Sequence, residues 1–144
     1  MNEITYIMIK PDGLRRQLGC EILSIFEKIK DLQLMGLKIM VPSKDKLTIH
    51  YRKHKHKPFF KDIMAYMGSG DPILCSVWCG PNAVQKCRKL IGNTDPLKAK
   101  SGTVRFKYAL SKVKNAIHGS DSVESGKFEA FLWFSDQELL ITKV

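Results

Sequence analysis

ITYIMIKPDG, residues 4–13, is the stretch on which the fold turns. Ile4 to Ile9 are continuously apolar or β-forming, too short a run for a buried helix and without a polar alternate face. Lys10-Pro11-Asp12-Gly13 then closes the run with turn-forming residues. The reading is an interior strand feeding a loop, and loops at strand ends are where a rigid sheet presents ligand-binding side chains. Lys10 is thereby a candidate to meet an anion, and is read equally well as a surface lysine.

Outward from this strand, Ile22, Ile25, Phe26 and Ile29 recur at helical spacing between Glu21 and Ile29. Leu34 to Val41 is short, apolar and stopped by Pro42, so it reads as a second strand. Helices are expected over Asp45 to Tyr51 and over Phe59 to Met67, the latter ended by Gly68-Ser69-Gly70-Asp71-Pro72. Ile73 to Trp78 reads as a third strand, followed by a helix over 82–91 with Asn82 as its cap. Periodicity fades from Gly92 to Lys114, which reads as a long structured loop of the kind that carries function. A helix beginning at Ser122 to Glu124 and a last strand over Ala130 to Phe134 complete the order β-α-β-(α-α)-β-α-loop-α-β. That order fits an α/β chain of the α+β sandwich type: a ferredoxin-like split β-α-β antiparallel four-stranded sheet with added helices, in one domain over 1–144.

With 144 residues, 44% of them hydrophobic, the chain has the means to build one core, which excludes general disorder. Twenty-four basic against fourteen acidic residues leave a net charge of +10, concentrated in 44–61 and 86–114. Such an excess favours polyanionic partners: nucleotides, nucleic acid or an acidic surface. No apolar run approaches the roughly 20 residues of a membrane span, and residues 1–12 read as strand and turn, so a cytoplasmic protein is expected. Cys20, Cys75, Cys79 and Cys87 read as buried free thiols, because a chain of this size needs no disulfide staples.

The strongest chemical signal is Asn115-Ala116-Ile117-His118-Gly119-Ser120-Asp121-Ser122. A neutral imidazole is a usable nucleophile or base near neutral pH, and a hydrogen-bonded carboxylate, Asp121 or Glu129, can fix its tautomer. A histidine beside Gly and Ser is also a common turn residue. Arg88 and Arg105 offer planar forks suited to phosphate oxygens. Phe59 and Phe60 cannot face the same way on a helix, so one ring can pack inward while the other stacks on a base. Neither a Walker loop nor G-x-G-x-x-G occurs, so any phosphate must be held by side chains. Lys10, Tyr51, Arg88, Thr94, Arg105 and Asn115 are the candidates.

In this order of segments the sequence closely resembles the nucleoside diphosphate kinase family over roughly residues 3–138. Ile9-Lys10-Pro11-Asp12-Gly13, His50-Tyr51, Lys57-Pro58-Phe59-Phe60, Gly92-Asn93-Thr94-Asp95-Pro96 and Asn115 through Glu124 carry the resemblance. It implies transfer of the terminal phosphate of a nucleoside triphosphate, typically ATP, to a nucleoside diphosphate through a phosphohistidine, by a ping-pong mechanism. By the same resemblance His118 is the nucleophile, Glu129 orients its other ring nitrogen, and Ser120 steadies the pair. Lys10, Tyr51, Arg88, Thr94, Arg105 and Asn115 match the phosphate and ribose contacts. Phe59 and Ile63 match one face of the base slot, and Lys112 occupies the position opposite. Mg2+ would bridge the phosphates, with Asp121 assisting through water. A homo-oligomer is implied, a hexamer before dimers or tetramers.

Two departures stand out. Arg105-Phe106-Lys107 replaces the family's usual Arg-Gly-Asp, and Lys112-Val113-Lys114 replaces a pattern nearer to an apolar residue, glycine and arginine. An apolar wall of the base slot thus becomes a cation, and altered base selectivity is expected. The competing reading is a family-like nucleic-acid-binding or regulatory protein with weak or lost kinase activity; nonspecific nucleic-acid binding is also compatible with an active enzyme.

Overall fold

The computed structural model describes residues 1–140. Its strands are β1 (Asn2–Ile9), β2 (Gln33–Met40), β3 (Ile73–Pro81) and β4 (Ile117–Gly119), joined in one antiparallel sheet of order β2-β3-β1-β4. Because β3 lies between β1 and β2, the first β-α-β unit is split, as the sequence order implies. The α-helices among the described residues are α1 (Pro11–Arg15), α2 (Gly19–Glu27), α3 (Lys44–His50), α4 (Phe60–Met67), α5 (Ala83–Ile91), α6 (Val104–Tyr108) and α7 (Val123–Trp133).

From Tyr6 to Ile9 β1 is apolar and buried because both faces of the sheet are covered there. Tyr6 and Met8 point into a core shared with Leu47 of α3, Ile63 and Met67 of α4, and Ala130 and Trp133 of α7. Ile7 and Ile9 point into a second core with Ile22 and Phe26 of α2, Cys87 and Ile91 of α5, and Val104 and Tyr108 of α6. Phe26 and Met67 are both fully buried, and each such side chain stabilises the fold by about 1.5–3 kcal/mol.

Several expectations are corrected. The apolar run Ala130 to Phe134 is not a strand: it finishes α7, whose buried residues Ser125, Gly126, Glu129, Ala130 and Trp133 follow a helical spacing. Tertiary packing decides here, since Phe131 of the same run is exposed. The fourth strand is instead Ile117–Gly119, three residues defined by their pairing with β1 rather than by any pattern of their own. Asn82 does not cap α5 with its side chain: it adopts a left-handed φ of 54°, and the N–H of Val84 donates to Glu3 Oε2 at 3.1 Å. The long stretch 92–114 is not only loop, because it holds a 3-10 turn at Pro96–Lys98 and α6, whose Thr103 cap accepts the N–H of Phe106. Cys75, Cys79 and Cys87 are buried free thiols, whereas Cys20 is exposed.

Candidate active site

Lys10-Pro11-Asp12-Gly13 begins a helix instead of a simple turn. Pro11 stands in the first turn of α1, where its missing N–H is no loss. Asp12 accepts the hydroxyl of Tyr66 with Oδ1 and the N–H of Ala116 with Oδ2, the latter at 3.0 Å. Lys10 N–H donates to the Ala116 carbonyl at 2.9 Å. A Cβ on Gly13 would stand 2.8 Å from Ile9 Cγ2 and 3.1 Å from the Ala116 carbonyl oxygen, so only glycine lets these segments close. The loop after β1 is thus bonded directly to the segment entering β4.

β4 presents His118. On the opposite face Gly119 gives way to Ile91 of α5, where a Cβ would collide with Ile91 Cδ1. On the His118 face α7 lies close on β1, because a Cβ at Gly126 would collide with the Ile4 carbonyl oxygen. One helical turn later Glu129 reaches the imidazole. His118 Nε2–H donates to Glu129 Oε1 at 2.9 Å, and Ser120 Oγ donates to the same oxygen at 2.7 Å. Ser120 in turn accepts the N–H of Tyr6 at 3.0 Å. Glu129 is buried and His118 is one-fifth exposed, so a carboxylate inside the protein fixes the ring while the other nitrogen, Nδ1, has no hydrogen-bond partner among the described residues.

Around this pair polar atoms wait without partners. Six buried side-chain polar atoms lack a hydrogen bond among the described residues, and five of them belong to His50, Tyr51, His54, Arg105 and Asn115. Buried polar groups are normally satisfied, so a cluster of exceptions marks a place where a polar ligand completes the bonding. Burial lowers the Lys10 ammonium to about 7, helped by the neighbouring Arg105 charge and opposed by Asp12. Burial and the charge of Arg88 lower Arg105 to about 10. Burial and Glu129 push the Tyr51 hydroxyl up. This is a desolvated cationic pocket whose charges are partly uncompensated, the condition that an arriving phosphate relieves.

The candidate residues are distributed as follows. Arg105 anchors itself by donating to the carbonyls of Gly92 at 3.1 Å and Ile117 at 2.8 Å, leaving Nε free. Asn115 donates to the carbonyls of Thr94 at 3.3 Å and Lys112 at 3.0 Å, which ties two parts of the 92–114 segment together. Lys10 Nζ lies 3.3 Å from the Val113 carbonyl. Arg88 is exposed on α5 and Thr94 is exposed in the segment that follows it. Phe59 is exposed at the start of α4, with the His54 ring 5.4 Å away, whereas Ile63 is buried in the core beneath it. Lys112 projects outward, its Nζ 3.7 Å from Asp95 Oδ2. Asp121 lines the mouth of the His118 cavity, and its carboxyl is held low first by Ser125 and then by Lys53, against a burial effect that raises it.

Residue types alone did not single out Asp12, His50 or Lys53. The His50 ring lies 4.4 Å from that of His118, and Trp133 Nε1–H donates to its Nδ1 at 3.0 Å. Burial, then the nearby His118 and Lys10, lower His50 well below the ordinary histidine range, so it stays neutral with its proton on Nε2. Adjacency to Tyr51 was the one signal in the sequence. Asp12 stood out only as a turn residue and as part of the family-like Ile9-Lys10-Pro11-Asp12-Gly13 segment, with no role assigned.

Fold and site together define an α/β protein with a histidine-centred cleft lined by buried cations and unpartnered polar side chains, without a glycine-rich loop. A family profile described as nucleoside diphosphate kinase matches residues 3–139. The chain is 46% identical to a nucleoside diphosphate kinase of Prochlorococcus marinus (strain MIT 9215), covering 95% of this chain and 89% of that one. It is also 46% identical to the Eremothecium gossypii enzyme of the same name, covering 99% and 93%. The solved structure of a halophilic nucleoside diphosphate kinase from Halobacterium salinarum in complex with CDP superposes with a TM-score of 0.91 at 37% identity, covering 97% and 92%. The chain belongs to the nucleoside diphosphate kinase family.

Proposed function

We propose that the chain, acting as one domain, moves the terminal phosphate of a nucleoside triphosphate to a nucleoside diphosphate in two half-reactions through a phosphate on His118. The observation that carries this reading is the bonded chain Ser120–Glu129–His118, which commits Nε2 to a buried carboxylate and leaves Nδ1 as the free nucleophilic nitrogen.

In the first half-reaction the lone pair of Nδ1 attacks the terminal phosphorus, a P–N bond forms, and the P–O bond to the leaving diphosphate breaks. Glu129 stabilises the positive charge that grows on the ring, and Ser120 holds Glu129 in place. Lys10, Arg105, Tyr51 and Asn115 are buried donors set for phosphate oxygens, with Arg88 and Thr94 at the more exposed end. The second half-reaction reverses these steps with a different nucleotide, and one pocket serves both. Phe59 offers an exposed ring for any base, while Ile63 supports it from the core.

The residues fit a magnesium ion carried in by the phosphates. Such an ion keeps most of its waters and needs only one or two carboxylates, and Asp121, held ionised at the cavity mouth, suits water-mediated contact. Mg2+ would neutralise charge on the phosphate oxygens when bound.

Assembly as a homo-oligomer, hexameric by the family pattern, is supported by the edge strand β2. Leu37 and Ile39 there, and Val41 just beyond its end, are 50%, 64% and 56% exposed, an apolar edge suited to a second copy of the chain. No helix among the described residues is long and apolar enough to cross a membrane. Action in the cytoplasm is supported by four free thiols, three of them buried. Loss of catalysis is not favoured: the His118–Glu129–Ser120 hydrogen bonds and the buried donors Lys10, Tyr51, Arg105 and Asn115 support an active site.

The test is incubation with ATP labelled on the terminal phosphate. An acid-labile phosphoprotein should form, and His118→Ala should abolish it; labelling that persists in the variant overturns the assignment.

A further inference from the structure

The phosphate-site reading uses none of the lysines of the basic stretch 44–61, yet one of them, Lys53, lies beside His118. Lys53 lies in the 3-10 turn Arg52–His54, directly after α3 and Tyr51. Its Nζ donates to Ser125 Oγ at 2.7 Å and stands 3.9 Å from Asp121 Oδ1. These contacts draw the side chain across the start of α7. Lys53, His118, Glu129 and Asp121 line the same cavity of about 60 Å³, together with His50, His54, Ser125 and Phe128.

That position has three consequences. First, the ammonium stands at the mouth of the cavity that holds the nucleophile, on the wall formed by the 3-10 turn and α7. Lys10 and Arg105, the buried cations, approach through the loops around β4 instead. Second, its present partners are replaceable. One is a neutral hydroxyl, and the other is a carboxylate at 3.9 Å with both side chains more than half exposed, a weak pair in water. An arriving phosphoryl group with two or more negative charges outcompetes both. Third, nothing bulky holds the side chain: it is 57% exposed and swings by rotating about its own stem.

The geometry points to Lys53 as a further catalytic residue, a mobile cation that leaves Ser125 to donate to the phosphoryl group as it passes to His118. The step is phosphoryl transfer as already written, with P–O broken and P–N formed and no proton lost from Lys53. Its ammonium supplies one charge-assisted hydrogen bond to an equatorial oxygen, stronger in the charge-dispersed transition state than in the resting enzyme. This inference rests on the phosphohistidine reading above.

The experiment uses the full chain and ATP, with single-turnover formation of the acid-labile phosphoenzyme as the first readout. The 31P resonance of the phosphoenzyme is the second. Lys53→Gln should slow phosphorylation by roughly tenfold, the loss of one such bond, and should shift the resonance, with the melting temperature unchanged. Lys53→Arg should restore most of the rate. If Lys53 only braces α7, Lys53→Gln will lower the melting temperature and slow phosphorylation without shifting the resonance, and the inference is overturned. Equal rates and an unshifted resonance in Lys53→Gln overturn it as well, leaving the kinase reading intact. Absence of any phosphoenzyme in the parent protein overturns both.

Discussion

Asp12 Oδ2 accepts the backbone N–H of Ala116 at 3.0 Å, joining two residues 104 positions apart. Ala116 is fully buried and holds a left-handed φ of 69°, a conformation that costs a non-glycine residue energy and that this bond helps to offset. Two residues further on stands His118. The carboxylate of the first loop thus sets the entry of the strand that carries the nucleophile.

Asp12→Ala should therefore do more than remove a surface charge. It leaves the Ala116 N–H and the Tyr66 hydroxyl without their acceptor, a loss of about 1–3 kcal/mol in the buried part of the network. Urea denaturation should show the lower midpoint, and phosphoenzyme formation should fall with it; an unchanged midpoint would contradict this role.

Lys10 makes stability depend on pH in a definite direction. Its ordinary value is 10.5 and its folded value is about 7, lowered first by burial. Between those values the unfolded chain binds more protons than the folded one, so this group makes stability rise with pH from about 7 towards 10.5, and contributes no slope below 7. Lys10→Met should remove that rise and raise the melting temperature of the ligand-free protein at neutral pH. Inorganic phosphate or ADP should restore the charge on Lys10, so binding near pH 8 should take up protons, seen as a buffer-dependent calorimetric enthalpy. Lys10→Met should abolish that uptake.

Lys112, paired with Asp95 at 3.7 Å, should govern discrimination among bases more than turnover. Lys112→Val restores an apolar wall and should lower KM by roughly threefold to tenfold for the best-stacking bases, with kcat nearly constant. Steady-state comparison of four nucleoside diphosphates checks this. An unchanged ranking would remove the role.

The apolar edge of β2 should hold copies together. Replacing Leu37 and Ile39 by lysine should shift light-scattering mass to a smaller species without unfolding the domain, since both side chains are already exposed. Retention of the full assembly would place the interface elsewhere.

Much of this was legible in the residues, for reasons that differ by element. The strands β1 and β3 are long enough that burial on the sheet writes itself into a run of apolar residues, whereas the apolar run of β2 lies largely exposed at the sheet edge. β4 is three residues long and has no pattern; its existence depends on hydrogen bonds to Ile7, Met8 and Ile9 of β1. The run Ala130 to Phe134 was apolar enough for a strand, yet the sheet edge it would have used is already occupied by β4, and the residues complete a helix. His118, Glu129 and Ser120, candidates from the motif and the family resemblance, are brought into one hydrogen-bonded chain. His50 was not a candidate, since a histidine in a basic segment carries no mark of being buried against Trp133.

The sequence by itself determined the first three strands and the longer helices between them, the cationic character of the molecule, and the chemical groups available to phosphate. Those follow from local pattern and composition, which each segment carries alone. Only the tertiary structure decided which groups lose water together. It depressed the Lys10 ammonium by burying it, with Arg105 close by, left polar atoms of Tyr51, Asn115 and His50 unsatisfied, and set Glu129 against one nitrogen of His118 rather than the other. Desolvation and hydrogen-bond geometry arise between segments distant in the chain, so no single segment encodes them.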